Sequence, residues 1–378
     1  MNKLLNKYSG FVLAVAPALA MYIILPGTNL SGLLLIISTI MVLLNYRGMY
    51  FNKIAKCLFV GVVALSIISY ISNFSNVWFD QTVFVHNLWS IVLCLIPLVF
   101  VTNLINVETY IKTVFFIAII ASIVCLYQRL LLTVTGTFPS DFYLPLPMTD
   151  DVSTVTLRPH SFFREPAHLS LYLLPALYLA LINGKKYYAA LFMIGILSSG
   201  STTGFLLGAA IFVIWLSSSR MKKGKLLISI AILLIVLSIT IQFTPDLISS
   251  NTEKLINTDT NSSLRLLGSI EIIEKMSGRE LLFGIGINQL ANYGLYMTGY
   301  ELANYANSVV YMLISYGIVG LFSMLLFVAL LARKYDSNRG FLLILIGILF
   351  SDQILFNTHL LYLLSFILLS DKLIIKSK

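Results

Sequence analysis

Apolar residues in this chain arrive in runs too long, and too poor in charge, to form the core of a water-soluble domain. A run of about 18 or more apolar residues with few charges reads as a transmembrane helix. Composition agrees. Of 378 residues, 58% are hydrophobic and 11% are charged, where a soluble domain carries about 25% charged residues. Such a chain cannot cover itself with a polar surface, so lipid must solvate most of it. The expected fold is an all-α polytopic membrane protein, one integral membrane domain over residues 1–378.

Hydropathy places about twelve spans, near 8–25, 29–44, 54–72, 87–103, 110–133, 166–182, 187–200, 203–217, 226–243, 306–331, 340–354 and 357–370, with ends good to about two to four residues. Lys3 and Lys7 precede the first, and Ala18-Leu19-Ala20 looks like a signal-peptidase site. Apolar character continues to Leu25, so the segment reads as an uncleaved first transmembrane helix. Orientation follows from the rule that loops rich in Lys and Arg stay in the cytoplasm. With both termini cytoplasmic, that side holds 18 of the 25 basic residues against three acids. The net charge of +9 is thus a topology signal. Nucleic-acid binding would need a clustered basic patch with groove-reading or aromatic features, and none is present. Cys57, Cys94 and Cys125 lie in apolar runs without CxxC spacing, which reads as packing. The four histidines show no metal-ligand spacing, and no metal or cofactor is expected.

This topology puts two long loops on the outer side, about 134–165 and 244–305. Both mix aromatic, apolar and charged residues, so both are expected to fold back onto the membrane domain. In the second, Leu264, Leu267, Ile270 and Ile273 mark one face of a helix starting near Asp259–Ser263, with Gly278 as its stop. Arg265 sits in its first turn, where the helix dipole disfavours a cation unless an anion is held there too. Asp150-Asp151 reads as a solvated pair.

The first loop ends in Arg158-Pro159-His160-Ser161-Phe162-Phe163-Arg164-Glu165-Pro166-Ala167-His168. Pro166 suits the first position of a helix, which sets Arg164, Glu165 and His168 at the membrane boundary. Ionisable groups there are costly and mark function by default. Interfacial arginines also snorkel to headgroups, Glu165 can form a plain salt bridge, and His160 and His168 can be packing histidines. Three arginines on the one acid-rich face favour an anion site, because arginine grips phosphate and diphosphate with two hydrogen bonds. Arg158, Arg164 and Arg265 are the expected diphosphate ligands, with His160 beside them. Glu165 is the expected base and His168 the reserve.

The chain resembles Wzy-type O-antigen polymerases and the related O-antigen ligases in four places. These are Arg158 to His168, the turn Ser199-Gly200-Ser201-Thr202-Thr203-Gly204, Phe283-Gly284-Ile285-Gly286, and Asn307 followed by Gly317-Ile318-Val319-Gly320. The resemblance implies a glycosyltransferase of the lipid-linked-donor (GT-C-like) type in the bacterial inner membrane, working on the periplasmic face. It implies an undecaprenyl-diphosphate-linked oligosaccharide as donor, Tyr305 and Asn307 lining the sugar site, and a chain-length regulator protein as partner. Ligases of this kind typically carry His immediately before the motif Asn; this chain has Ala306. That departure favours a polymerase over a ligase. A lipid-linked oligosaccharide flippase is the rival of another class, but the spans lack internal repeats and mid-membrane charges.

Overall fold

The computed structural model describes residues 2–25, 28–45, 52–101, 105–137, 146–147, 158–218, 269–299, 307–335 and 339–373. The ninth expected span (226–243), most of the loop 134–165, Asp150-Asp151, Arg265 and Tyr305 lie outside them.

Among the described residues, four helices are long and apolar enough to cross a membrane: α3 (Lys53–Asn73), α4 (Gln81–Val101), α5 (Val107–Thr135) and α12 (Ser308–Lys334). Shorter apolar helices fill the rest: α2 (Leu30–Asn45), α6 (Pro166–Ile182), α7 (Lys186–Ser199), α8 (Thr202–Ser218), α13 (Arg339–Ser351) and α14 (Thr358–Leu368). Local chemistry sets several ends. The Asn52, Asn106 and Asn357 side chains accept the first free amides of α3, α5 and α14. Gly136 and Gly200 close α5 and α7 in the left-handed region, where glycine carries no Cβ penalty.

The first span departs from expectation. Helix α1 (Asn2–Val15) ends before Pro17, which sits in a 3-10 turn (Ala16–Leu19). Proline has no amide to continue the ladder and its ring crowds the preceding turn. The apolar run then becomes a small antiparallel hairpin, β1 (Ile23–Leu25) and β2 (Thr28–Asn29), so the fold is not purely helical. The Ile23 amide donates to Pro147 O at 2.8 Å, tying the first long loop to this hairpin.

Helix α6 is the hub of the larger core, buried on every face from Leu169 to Leu181. A helix apolar all round belongs inside a protein or a membrane. Beside it runs α14, equally buried and parallel to it: Tyr172 stacks on Tyr362 (4.7 Å, 10°) and His168 stacks on His359 (4.5 Å, 29°). Meanwhile α3, α5 and α12 keep apolar side chains such as Ile71, Phe116 and Phe322 exposed, the surface a bilayer would cover.

The second long loop does fold back over its described part. Helices α9 (Ser269–Lys275), α10 (Gly278–Phe283) and α11 (Leu290–Thr298) rest on the ends of α3 and α4 in a second core. Tyr293 meets Trp78 edge-on at 4.9 Å, and Gln289 exchanges two hydrogen bonds with the Asp80 backbone. Gly278 is not a stop. It opens α10, where Ser277 and Glu280 form a capping box. In α9, Ile272 is fully buried, with Ile273 packed beside it.

Candidate functional site

One end of the bundle gathers the C-terminal ends of α5, α7 and α13 with the N-terminal ends of α6, α8, α12 and α14. The Arg158–His168 segment lies there, pinned by a residue of α5. Gln128 is fully buried; its Oε1 accepts the amides of His160 (3.1 Å) and Ser161 (2.7 Å), and its Nε2 donates to Ser161 O (3.2 Å). Those bonds hold Ser161 at φ 58°, left-handed and unusual for a residue with a Cβ. Phe163 stacks on Phe162 and packs on Tyr172, which anchors the segment to α6.

His160 is buried, and its Nδ1 lies 2.8 Å from Phe163 O. A carbonyl only accepts, so Nδ1 carries the proton. Burial pushes the His160 imidazole below its usual value, against the Phe163 hydrogen bond, the Glu165 carboxylate and a Ser161 backbone bond. The fold therefore favours the neutral ring. An unfolded histidine titrates near 6.5, so below about pH 6.5 the unfolded chain binds more protons and stability falls with pH. Thermal unfolding of purified protein from pH 7.5 to 5 should show this loss, and His160→Asn should flatten it. Equal pH slopes in the two proteins would refute the assignment.

Arg158, Arg164, Glu165 and His168 are all half-buried. Glu165 is the N-cap residue of α6, but its side chain does not cap the helix, and among the described residues it stands in no ion pair. The plain salt bridge to Arg158 or Arg164 is thus not formed. His168 meets His359, whose Nε2 is buried and has no partner among the described residues. Spacing in the sequence gave His359 no role; its position on a helix parallel to α6 brings it to this end.

The α7–α8 turn lies beside them. Arg129, next to Gln128, donates from Nε to Ser198 O at 2.9 Å, bracing the end of α7. Ser199 and Ser170 hydroxyls sit 3.3 Å apart, and a Cβ on Gly204 would collide with the Ser170 side chain. The Ser/Gly/Thr turn is thereby a close-approach joint between α6, α7 and α8. Asn307 is the N-cap of α12, its Oδ1 accepting from Val310 N at 2.9 Å. Ser308 accepts from Ile354 N and donates to Asp352 O, binding the start of α12 to the α13–α14 turn.

Helix α12 is broken at Gly317 (φ 68°, ψ −166°). The carbonyls of Ile314 and Ser315 accept instead from the amides of Ile285 (2.9 Å) and Gly286 (3.1 Å). Gly284 and Gly317 lie backbone against backbone: a Cβ on either would collide with the other's strand, at Ser315-Tyr316 or Leu282-Phe283. From α3, Asn73 donates to Gly284 O at 2.8 Å, and the Ser66 and Tyr316 hydroxyls are 3.0 Å apart. Irregular backbone inside an apolar bundle requires this complete satisfaction.

The fold and this end of it define a multi-helix membrane protein with a polar, arginine- and imidazole-bearing cap on an apolar bundle. Residues 187–325 match the Wzy_C family model, described as O-antigen ligase, and the match supports the O-antigen polymerase/ligase superfamily, whose members are glycosyltransferase-like enzymes. It covers the α7–α8 turn, the Gly284–Gly317 joint and Asn307, and stops short of Arg158–His168. It does not support a flippase. No curated protein matches the chain.

Proposed function

We propose that the protein is a surface-polysaccharide repeat-unit polymerase of the bacterial inner membrane, with both termini cytoplasmic and its site on the periplasmic face. The observation that carries this is the Arg158–His168 cap: two arginines, a carboxylate outside any described ion pair and the His168–His359 stack share one end of the bundle. Arg158 and Arg164, with Arg265, hold the diphosphate of an undecaprenyl-linked oligosaccharide. A sugar hydroxyl of the incoming repeat loses its proton to Glu165, with His168 in reserve. Its oxygen bonds the anomeric carbon of the growing chain as the bond from that carbon to the diphosphate breaks. The arginines offset the charge that builds on the leaving group. Tyr305 and Asn307 border the sugars, and a chain-length regulator is the protein partner.

The test uses purified protein in nanodiscs with lipid-linked repeats from its own cells. Arg158→Ala should lower kcat/KM by about tenfold or more, the loss of one charged hydrogen-bond donor. Glu165→Gln should lower kcat by about a hundredfold, the contribution of a positioned base. Normal polymerisation by both folded variants would overturn the site. The second reading, a ligase, is favoured by the description of the matched family; Ala306 weighs against it. A deletion strain separates them: single repeats on the lipid core mean a lost polymerase, bare core a lost ligase.

A further inference from the structure

Between α3, α12, α13 and α14 lies a cavity of about 250 Å³. Its walls are apolar apart from Ser323 and Cys57, and the Ser323 hydroxyl already donates to Val319 O at 2.7 Å. Water needs two or more polar partners to reside in a cavity, so this one suits hydrocarbon. It opens sideways: Cys57, Gly61, Leu326 and Leu330 are exposed and Ser323 is half-buried on the flank of the bundle, within the apolar helices. Gly61 lies on this opening, and a Cβ there would meet nothing within 4 Å.

The other end of the cavity lies at the start of α14. It is bounded by Phe356 and Leu360, and the residue before Leu360 is His359, stacked on His168. Phe356 is held at φ 64°, a genuine outlier for a bulky side chain, and such strain gathers at ligand clamps. A hydrocarbon lying here would have one end open to the flank of the bundle and the other at Phe356 and Leu360, at the end of α14 that carries His359.

We infer that this groove holds the polyisoprenyl tail of the lipid-diphosphate donor, entering between α3 and α12 and passing Phe356 to deliver its headgroup to the cap. This rests on the proposed function for the headgroup. The groove supplies affinity for the tail, and the arginines act on the diphosphate.

Binding of undecaprenyl diphosphate and of short-tailed farnesyl diphosphate to the full-length protein in nanodiscs tests it without knowledge of the sugar. Gly61→Phe fills open space and should fold. It should weaken undecaprenyl diphosphate by about tenfold or more, because two buried CH₂ groups already carry that much, and leave farnesyl diphosphate unchanged. Val60→Phe, on the same helix but outside the cavity and 54% exposed, should change neither. Arg158→Ala should weaken both ligands alike. Undecaprenyl affinity untouched by Gly61→Phe, or an equal fall for both ligands, overturns the groove while leaving the headgroup site standing. Failure of the wild type to bind either diphosphate overturns the headgroup reading, and the donor groove with it.

Discussion

Gly284→Ala is expected to leave little or no stably folded protein. Gly284 adopts φ 75° and ψ 172°, a region open essentially to glycine alone, where another residue costs about 1–3 kcal/mol. The added methyl would also strike the Ser315 carbonyl and the Tyr316 amide nitrogen, backbone atoms of a broken helix that cannot rotate away. Relief requires the strand 284–286 to withdraw. That would strip the Ile314 and Ser315 carbonyls of the amides of Ile285 and Gly286, and each buried group left unsatisfied costs about 1–3 kcal/mol. The sum is roughly 3–9 kcal/mol against the 5–15 kcal/mol that holds a typical protein together. Gly317→Ala should behave alike, since its own Cβ would strike Leu282 and Phe283. Gly299→Ala, also left-handed but with open space around it, should cost far less. Fluorescence-detected size exclusion of the three variants reads the outcome directly. A Gly284→Ala protein that is monodisperse and melts near the wild type would show that the joint yields.

That joint illustrates what hydropathy can and cannot read. The limits of α6, 166–182, were legible because Pro166 and Asn183-Gly184 are strong local punctuation and the run between them is unbroken. The first span ends earlier than hydropathy indicates because a hydropathy average is blind to the missing amide of Pro17. In the sequence Gly317 and Gly320 stand only as part of the motif that follows Asn307 into an apolar span. That Gly317 is a break depends on Gly284, distant in sequence and brought near by the fold. The Arg158–Glu165 segment was found because charges at the edge of an apolar span stand out. Its support was not. Gln128 was visible as an amide inside an apolar run, but its partners lie across a loop whose path no periodicity records. His359 has no metal-ligand spacing to mark it in the sequence. Its approach to His168 requires α6 and α14 to run parallel, which is a tertiary fact.

Gln128→Leu is expected to abolish activity while leaving the bundle folded. Leucine nearly conserves the volume but can make no hydrogen bond. The amides of His160 and Ser161 and the carbonyl of Ser161 would each lose their partner in a site closed to water. At about 1–3 kcal/mol apiece, the docked loop becomes unfavourable by roughly 3–9 kcal/mol. It also loses the restraint that keeps Ser161 left-handed, a conformation that costs about 1–2 kcal/mol on its own. The cheapest response is local: the segment lifts from α5, the Ser161 backbone relaxes to an extended form, and Arg158 and Arg164 leave their places. Because α6 and α14 keep their own packing, the protein should still purify as a single species. Glycosyl transfer should fall by about a hundredfold or more, since catalytic geometry tolerates little displacement. Gln128→Glu offers a graded case. Its carboxylate can still accept the two amides but cannot donate to Ser161 O, so it should retain more activity than the leucine variant. Hydrogen exchange at residues 158–165 separates this mechanism from general destabilisation. Selective loss of protection there supports the clamp, and wild-type protection with wild-type activity in Gln128→Leu would remove it.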